Sequence, residues 1–190
     1  MPSDFLVIGS GVAGLSFAIK AARHGTVTVI TKNKALDSNT NWAQGGISAV
    51  LPEGLRDAGD SVEKHVADTL DAGAGLCREE AVRTIIAEGA ATIEELVAWG
   101  TEFDREDDRF SLGQEGGHCQ RRVLHAKDTT GHEIASSLLE TARETPNLTL
   151  LEDHFAIDLI TTGKLGGVTD NRVLGAYVLE EESGEVMVLR

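Results

Sequence analysis

The chain has 190 residues, with 17 Lys and Arg against 31 Asp and Glu, a formal net charge of −14. Its hydrophobic share of 41% is enough for the core of one domain or slightly more, which excludes general disorder. The acidic balance excludes a nucleic-acid face built on clustered Lys and Arg, and two cysteines, Cys77 and Cys119, cannot make a disulfide framework, so a reducing, cytoplasmic setting is expected.

The most apolar stretch, Phe5 to Ile19, is interrupted by Gly9, Ser10, Gly11, Gly14 and Ser16. It is shorter than the roughly 20 residues a spanning helix needs. The one charge in front of it, Asp4, is acidic, which is wrong for a signal peptide. No membrane association is expected.

Phe5 to Ile8 is a short, continuous apolar run of the kind that forms a strand buried on both faces. Leu15 to Arg23 reads as a helix with apolar residues three and four apart, and Gly25 stands at its C-terminal end. Thr26 to Ile30 is β-branched and reads as a second strand, parallel to the first. Lys32 to Leu55 is a long polar loop, a length that suggests binding. Asp60 to Glu63 resembles a capping box opening a helix that ends near Gly73. Arg78 to Trp99 is helical with a break near Gly89, and Thr101 to Asp128 is mostly loop. Asp128 is expected to cap a helix from about Gly131 to Arg143. Leu148–Leu151 and Phe155–Ile160 read as strands, and Val173–Leu179 with Glu185–Leu189 as a hairpin through Ser183-Gly184.

Gly9-Ser10-Gly11-Val12-Ala13-Gly14 matches G-x-G-x-x-G directly after a buried strand and at the start of a helix. The first glycine permits the tight turn, the second lets backbone approach a pyrophosphate, and the third lets helix and strand pack closely. The helix N-terminus adds N–H donors and a positive dipole end. A purely structural glycine turn is the other reading. The acid that dinucleotide sites often carry at the end of the second strand is missing: Thr31-Lys32 stands there, and the first acid is Asp37. Thr31 and the backbone can serve the ribose instead, with Lys32 near phosphate or adenosine.

The loop Ser38-Asn39-Thr40-Asn41-Trp42-Ala43-Gln44-Gly45-Gly46-Ile47 has hydroxyls for phosphate, an amide for a ring edge and two glycines for close backbone approach. It resembles the flavin loop of the succinate dehydrogenase and fumarate reductase flavoprotein superfamily. Three more stretches narrow the likeness to the L-aspartate oxidase family within it. They are Val66 to Cys77, Gln114-Glu115-Gly116-Gly117-His118 with Arg121 to Ala126, and Asp128-Thr129-Thr130-Gly131.

The resemblance implies an α/β fold: a Rossmann-like FAD-binding domain with a parallel sheet, inserted helices and a C-terminal β-hairpin or meander. It implies that Gly9, Ser10, Gly11, Val12, Ala13 and Gly14 hold the FAD pyrophosphate. Lys32 then lies at the adenosine end, and Asn39, Thr40, Asn41, Trp42, Ala43, Gln44, Gly45 and Gly46 wrap the flavin. Glu115 then orients the amino group of L-aspartate. Where respiratory relatives bond a histidine covalently to the flavin, this chain has Asn39, so non-covalent FAD is expected. The implied reaction oxidises L-aspartate to iminoaspartate with oxygen or fumarate as acceptor, and the product passes to quinolinate synthase in NAD biosynthesis. A soluble fumarate reductase and a non-catalytic FAD- or nucleotide-binding module are the alternatives.

The family's catalytic arginine and substrate-gripping histidines have no counterpart here, and Arg121 and Arg122 are not promoted to that role. The chain also stops on a strand-like segment. Residues 1–190 are therefore expected to be an N-terminal portion of the FAD-binding domain, inactive alone, with the capping and C-terminal helical domains absent. His118 and His125 are expected to shape the site rather than transfer protons. His24, His65, His132 and His154 read as helix or surface residues, and Cys119 as a buried bystander. No spacing matches a zinc template, so no metal is expected.

Overall fold

A computed structural model describes residues 3–164, 166 and 170–190. In chain order the elements are β1 (Phe5–Ile8), α1 (Val12–Ala21), β2 (Val27–Ile30), β3 (Ile47–Ser48), α2 (Val62–Ala72), α3 (Glu79–Ala87) and α4 (Gly89–Ala98). Four short strands follow: β4 (Arg105–Glu106), β5 (Arg109–Phe110), β6 (Leu112–Gly113) and β7 (Val123–Leu124). Then come α5 (Thr130–Glu144), β8 (Leu148–Leu151), β9 (His154–Thr161), β10 (Val173–Glu180) and β11 (Glu185–Leu189). They form two compact units, one of residues up to Asn41 with Ala135–Arg190, the other Trp42–Ile134.

The first unit is built on a parallel three-stranded sheet in the order β1-β2-β8. β2 lies in its middle and is buried along its whole length. Its residues divide by parity, as strand geometry requires. Val27 and Val29 pack with Ala18 and Ala21 of α1 and with Ala22, its C-cap, on one face. Ile30 packs with Ala176, Val178 and Leu189 on the other. The covering layer there is an antiparallel meander in the order β11-β10-β9. A parallel sheet covered on both faces explains why β1 reads as a continuous apolar run and why β2 is β-branched and buried throughout.

The second unit carries α2, α3 and α4 with an antiparallel sheet in the order β3-β7-β6 and a β4–β5 hairpin. The break expected near Gly89 is present: Glu88 closes α3 and precedes α4. Two caps differ from expectation. α2 is capped by Ser61, whose hydroxyl accepts the Lys64 N–H at 3.3 Å; Asp60 is instead drawn into an ion pair described below. α5 begins at Thr130, so Asp128 lies one residue too early to occupy the capping position. Among the described residues, no helix is long and apolar enough to cross a membrane.

Candidate functional site

The glycine turn joins β1 to α1 in the first unit. Gly9 has φ +108°, a conformation that side chains rarely adopt, and its N–H donates to Ile30 O at 2.9 Å. Gly14 is where the helix backbone crosses the turn: a Cβ there would overlap the Gly9 carbonyl oxygen. The third glycine of the motif thus does the packing task expected of it. Gly11 precedes the helix in extended conformation and offers no side-chain cap. Thr40 Oγ1 supplies one from outside, accepting the Val12 N–H at 3.0 Å. As an acceptor there, the hydroxyl keeps its own proton for donation. The first N–H groups of a helix have no partner within it, so α1 directs donors and its positive dipole end out of the turn.

A cleft of about 450 Å³ opens in front of this turn. Gly9, Ser10 and Gly11 form one wall, with Lys32, Asn39 and Thr40 on another. Ser10 is buried: its hydroxyl donates to Ala35 O at 2.8 Å and shares a 3.0 Å bond with Thr31 Oγ1. These two hydroxyls hold the turn to the segment after β2, so Thr31 has a structural partner for the group that was expected to serve the ribose. Asp37 also lines the cleft, with Oδ2 accepting from Asn33 Nδ2 at 2.8 Å. Asn41 stands outside the lining, its N–H directed to Ser38 Oγ. His154, Phe155 and Ala156 complete the cleft. They are placed by a bond from His154 N–H to Thr31 O at 2.9 Å. Nothing local in the sequence marks these three; only the return of β9 beside β2 brings them there.

The rest of the expected flavin loop belongs to the second unit. Trp42 is 71% exposed, and Ala43 O accepts the Gly131 N–H at 3.0 Å. Gln44 and Gly45 are exposed, and a Cβ on Gly45 would meet nothing. Gly46 differs: a Cβ there would collide with Val123 Cγ1 and Leu124 O. Its immediate reason is close packing on β7 rather than approach to a ring.

Glu115 sits on an exposed turn in the same unit. Its carbonyl accepts the His118 N–H at 3.2 Å, and Gln114 Nε2 donates to His118 O at 2.8 Å. Beneath the turn lies Arg122, whose side chain is 0% exposed. It pairs with Asp60 at 2.8 Å and with Asp68 at 2.5 Å. These carboxylates and the attached hydrogen bonds hold the guanidinium firmly charged against the cost of burial. A side chain so engaged cannot turn outward to grip a substrate, while Arg121 is exposed. Burial opposes ionisation of Asp68, yet the Cys119 N–H and Arg122 outweigh it and hold its pKa at about 2.

One expectation changes here, that for Cys119, while His65 lies on a helix as read. Cys119 is exposed, not buried, although its N–H donates to Asp68 at 2.9 Å and its Sγ lies 3.8 Å from Arg122 Nη2. His65 is buried on α2, its ring 5.5 Å from that of His118. Burial pushes the His65 pKa below its ordinary 6.5, and the charge of Arg122 and the neighbouring His118 push the same way. The folded chain therefore takes up a proton at His65 less readily than the unfolded chain, which protonates it below about pH 6.5. The sign follows: stability is unaffected above that pH and falls as the pH drops through it, by at most about 1.4 kcal/mol per pH unit. His65→Leu is expected to remove this part of the slope in melts followed between pH 7 and pH 5. An unchanged slope would mean that His65 charges freely in the fold.

A family model described as "FAD binding domain" matches residues 4–190. The chain belongs to the FAD-binding domain family. FAD is the cofactor of this family, and the turn suits it: a glycine bend at positive φ, an outward-facing helix start and a cleft at the strand ends. The chain is 47% identical to L-aspartate oxidase 1 of Ralstonia nicotianae, with 100% of this chain and 35% of that protein covered. It is 52% identical to the chloroplastic L-aspartate oxidase of Arabidopsis thaliana, over 84% of this chain and 24% of that one. Its fold matches E. coli quinol fumarate reductase FrdA with a TM-score of 0.88 at 27% identity, covering 100% of this chain and 31% of that one. The chain thus spans about a quarter to a third of the length of the relatives it matches.

Proposed function

We propose that this chain is the cofactor-holding part of an L-aspartate oxidase, which converts L-aspartate to iminoaspartate and returns its electrons to oxygen or fumarate. The observation that carries the reading is the 47% identity to an L-aspartate oxidase along the whole chain. The fumarate reductase likeness stands at 27%. FAD, when bound, supplies the two-electron acceptor for the hydride that leaves Cα.

The chain's own residues bind and orient. Gly9 to Gly14 and the start of α1 hold the pyrophosphate, and Lys32 lies against the adenosine end. Asn39 to Gly46 wrap the flavin, and the amide of Asn39 leaves the FAD non-covalent. Glu115 accepts a hydrogen bond from the substrate ammonium, a task that needs an anion. The cationic groups that a dicarboxylate requires belong, on this reading, to the remainder of a parent protein of the relatives' length. Its capping and C-terminal helical domains lie there, and residues 1–190 are the N-terminal portion of the FAD-binding domain. Iminoaspartate is unstable cargo for the next enzyme, quinolinate synthase, and both work in the cytoplasm.

Glu115→Gln in the full-length protein tests the assignment. It is expected to lower kcat/KM for L-aspartate by roughly 10- to 100-fold, the worth of one charge-assisted hydrogen bond. Fumarate, which has no ammonium, is expected to suffer far less. Equal losses on both substrates would instead support a soluble fumarate reductase.

A further inference from the structure

The Asp60–Arg122–Asp68 cluster lies outside the residues assigned above to cofactor and substrate. A buried ionic cluster of this kind contributes little net stability over well-packed apolar side chains. What apolar side chains cannot supply is directed hydrogen bonding, and here it converges on one turn. Asp68 Oδ2 accepts both the Cys119 N–H (2.9 Å) and Arg122 Nη1 (2.5 Å). The same Nη1 lies 3.0 Å from His118 Nδ1. A guanidinium has no acceptor, so Nδ1 accepts and the His118 ring proton sits on Nε2. From there it is donated to Ser48 Oγ at 3.2 Å. The other end of the turn is held as well, because the Arg122 N–H donates to Gly113 O at 3.1 Å. Both ends of the exposed Gln114–Gly117 segment are therefore tied to Arg122; Asp60 holds its Nε and Nη2, and Asp68 holds the Nη1 that meets His118.

We propose that Asp68, acting through Arg122 and the Cys119 N–H, is the positioning residue that places Glu115 against the substrate ammonium. It makes no contact with substrate itself; it sets where the turn presents its carboxylate. The proposal rests on the substrate role of Glu115 given above. Ser48 is the outer member of the same chain, since it fixes the tautomer with which His118 meets Arg122.

The experiment is a double-mutant cycle in the full-length, FAD-loaded protein, with amide exchange of the 114–119 segment measured in parallel. Asp68→Ala is expected to raise KM for L-aspartate about tenfold with a smaller change in kcat, and to speed exchange at His118 and Cys119. In a Glu115→Gln background the same change is expected to have almost no further effect on kcat/KM, because the group it positions is already gone. Ser48→Ala, a milder variant that spares the ion pairs, is expected to show the same non-additivity with an effect of about twofold to fivefold. Additive losses, or unchanged exchange over 114–119, would overturn the proposal. Absence of L-aspartate oxidation in the unaltered protein would instead overturn the substrate reading, and the exchange measurement would still decide whether Asp68 holds the turn.

Discussion

Arg122→Ala is expected to loosen the second unit by about 3–5 kcal/mol, the usual penalty for breaking a buried pair from one side. The reason is what stays behind. Asp60 has a fully buried side chain and Asp68 is only 15% exposed, and both would lose the cation that compensates their desolvation. His118 would lose the donor to Nδ1, and Cys119 Sγ its contact with Nη2. Amides of 60–68 and 113–124 should lose protection by roughly 10²-fold to several thousand-fold, since each 1.4 kcal/mol is tenfold. Protection that falls less than tenfold would mean that water reaches these carboxylates readily. Replacing Asp60, Asp68 and Arg122 together by apolar residues of similar volume should recover much of the stability. It should not recover the ordered turn, which separates the cluster's effect on stability from its effect on position.

Gly14→Ala is the second large effect. The added Cβ would overlap the Gly9 carbonyl and press toward Val7 Cγ1. No rotamer relieves a clash made by Cβ itself, so α1 must move away from the turn. Overpacking in a close-fitted core costs roughly 1–3 kcal/mol, and contact with backbone puts this case at the upper end. The displaced helix would carry the Val12 N–H away from Thr40 Oγ1 and its dipole end away from the cleft. Purified Gly14→Ala protein should therefore lose its FAD on desalting while wild type keeps it. Equal retention would show that the third glycine is dispensable here. Gly11→Ala is a useful contrast, because its Cβ would meet only Thr40 Oγ1 at 3.4 Å.

The elements legible in the sequence are those specified by neighbouring residues. The run Phe5–Ile8, the glycine turn and the β-branched Val27–Ile30 each carry their own signal, and the β1–α1–β2 unit follows from them. Leu148–Leu151 and Glu185–Leu189 are also as read from the sequence. What stayed hidden depends on distant partners. Arg122 and Asp60 are 62 positions apart, and each alone looks like an ordinary surface charge. Their pairing removes Asp60 from the helix cap it seemed to serve, and Ser61 takes its place. Gly46 looked like a glycine for ligand approach, but its need comes from Val123 and Leu124 on β7. His154, Phe155 and Ala156 reach the cleft only through the pairing of sheets. Patterns thus disclosed where the cofactor cleft begins, and tertiary contacts decided what closes it and what steadies the Glu115 turn.

The most direct measurement is the visible spectrum of the desalted full-length protein, recorded before and after L-aspartate is added without oxygen, and again on the supernatant of an acid precipitate. A flavin spectrum that bleaches with L-aspartate, and whose colour moves wholly into the acid supernatant, is the predicted result. Protein that stays colourless after incubation with FAD, or a flavin spectrum that L-aspartate leaves unchanged, would contradict the assignment.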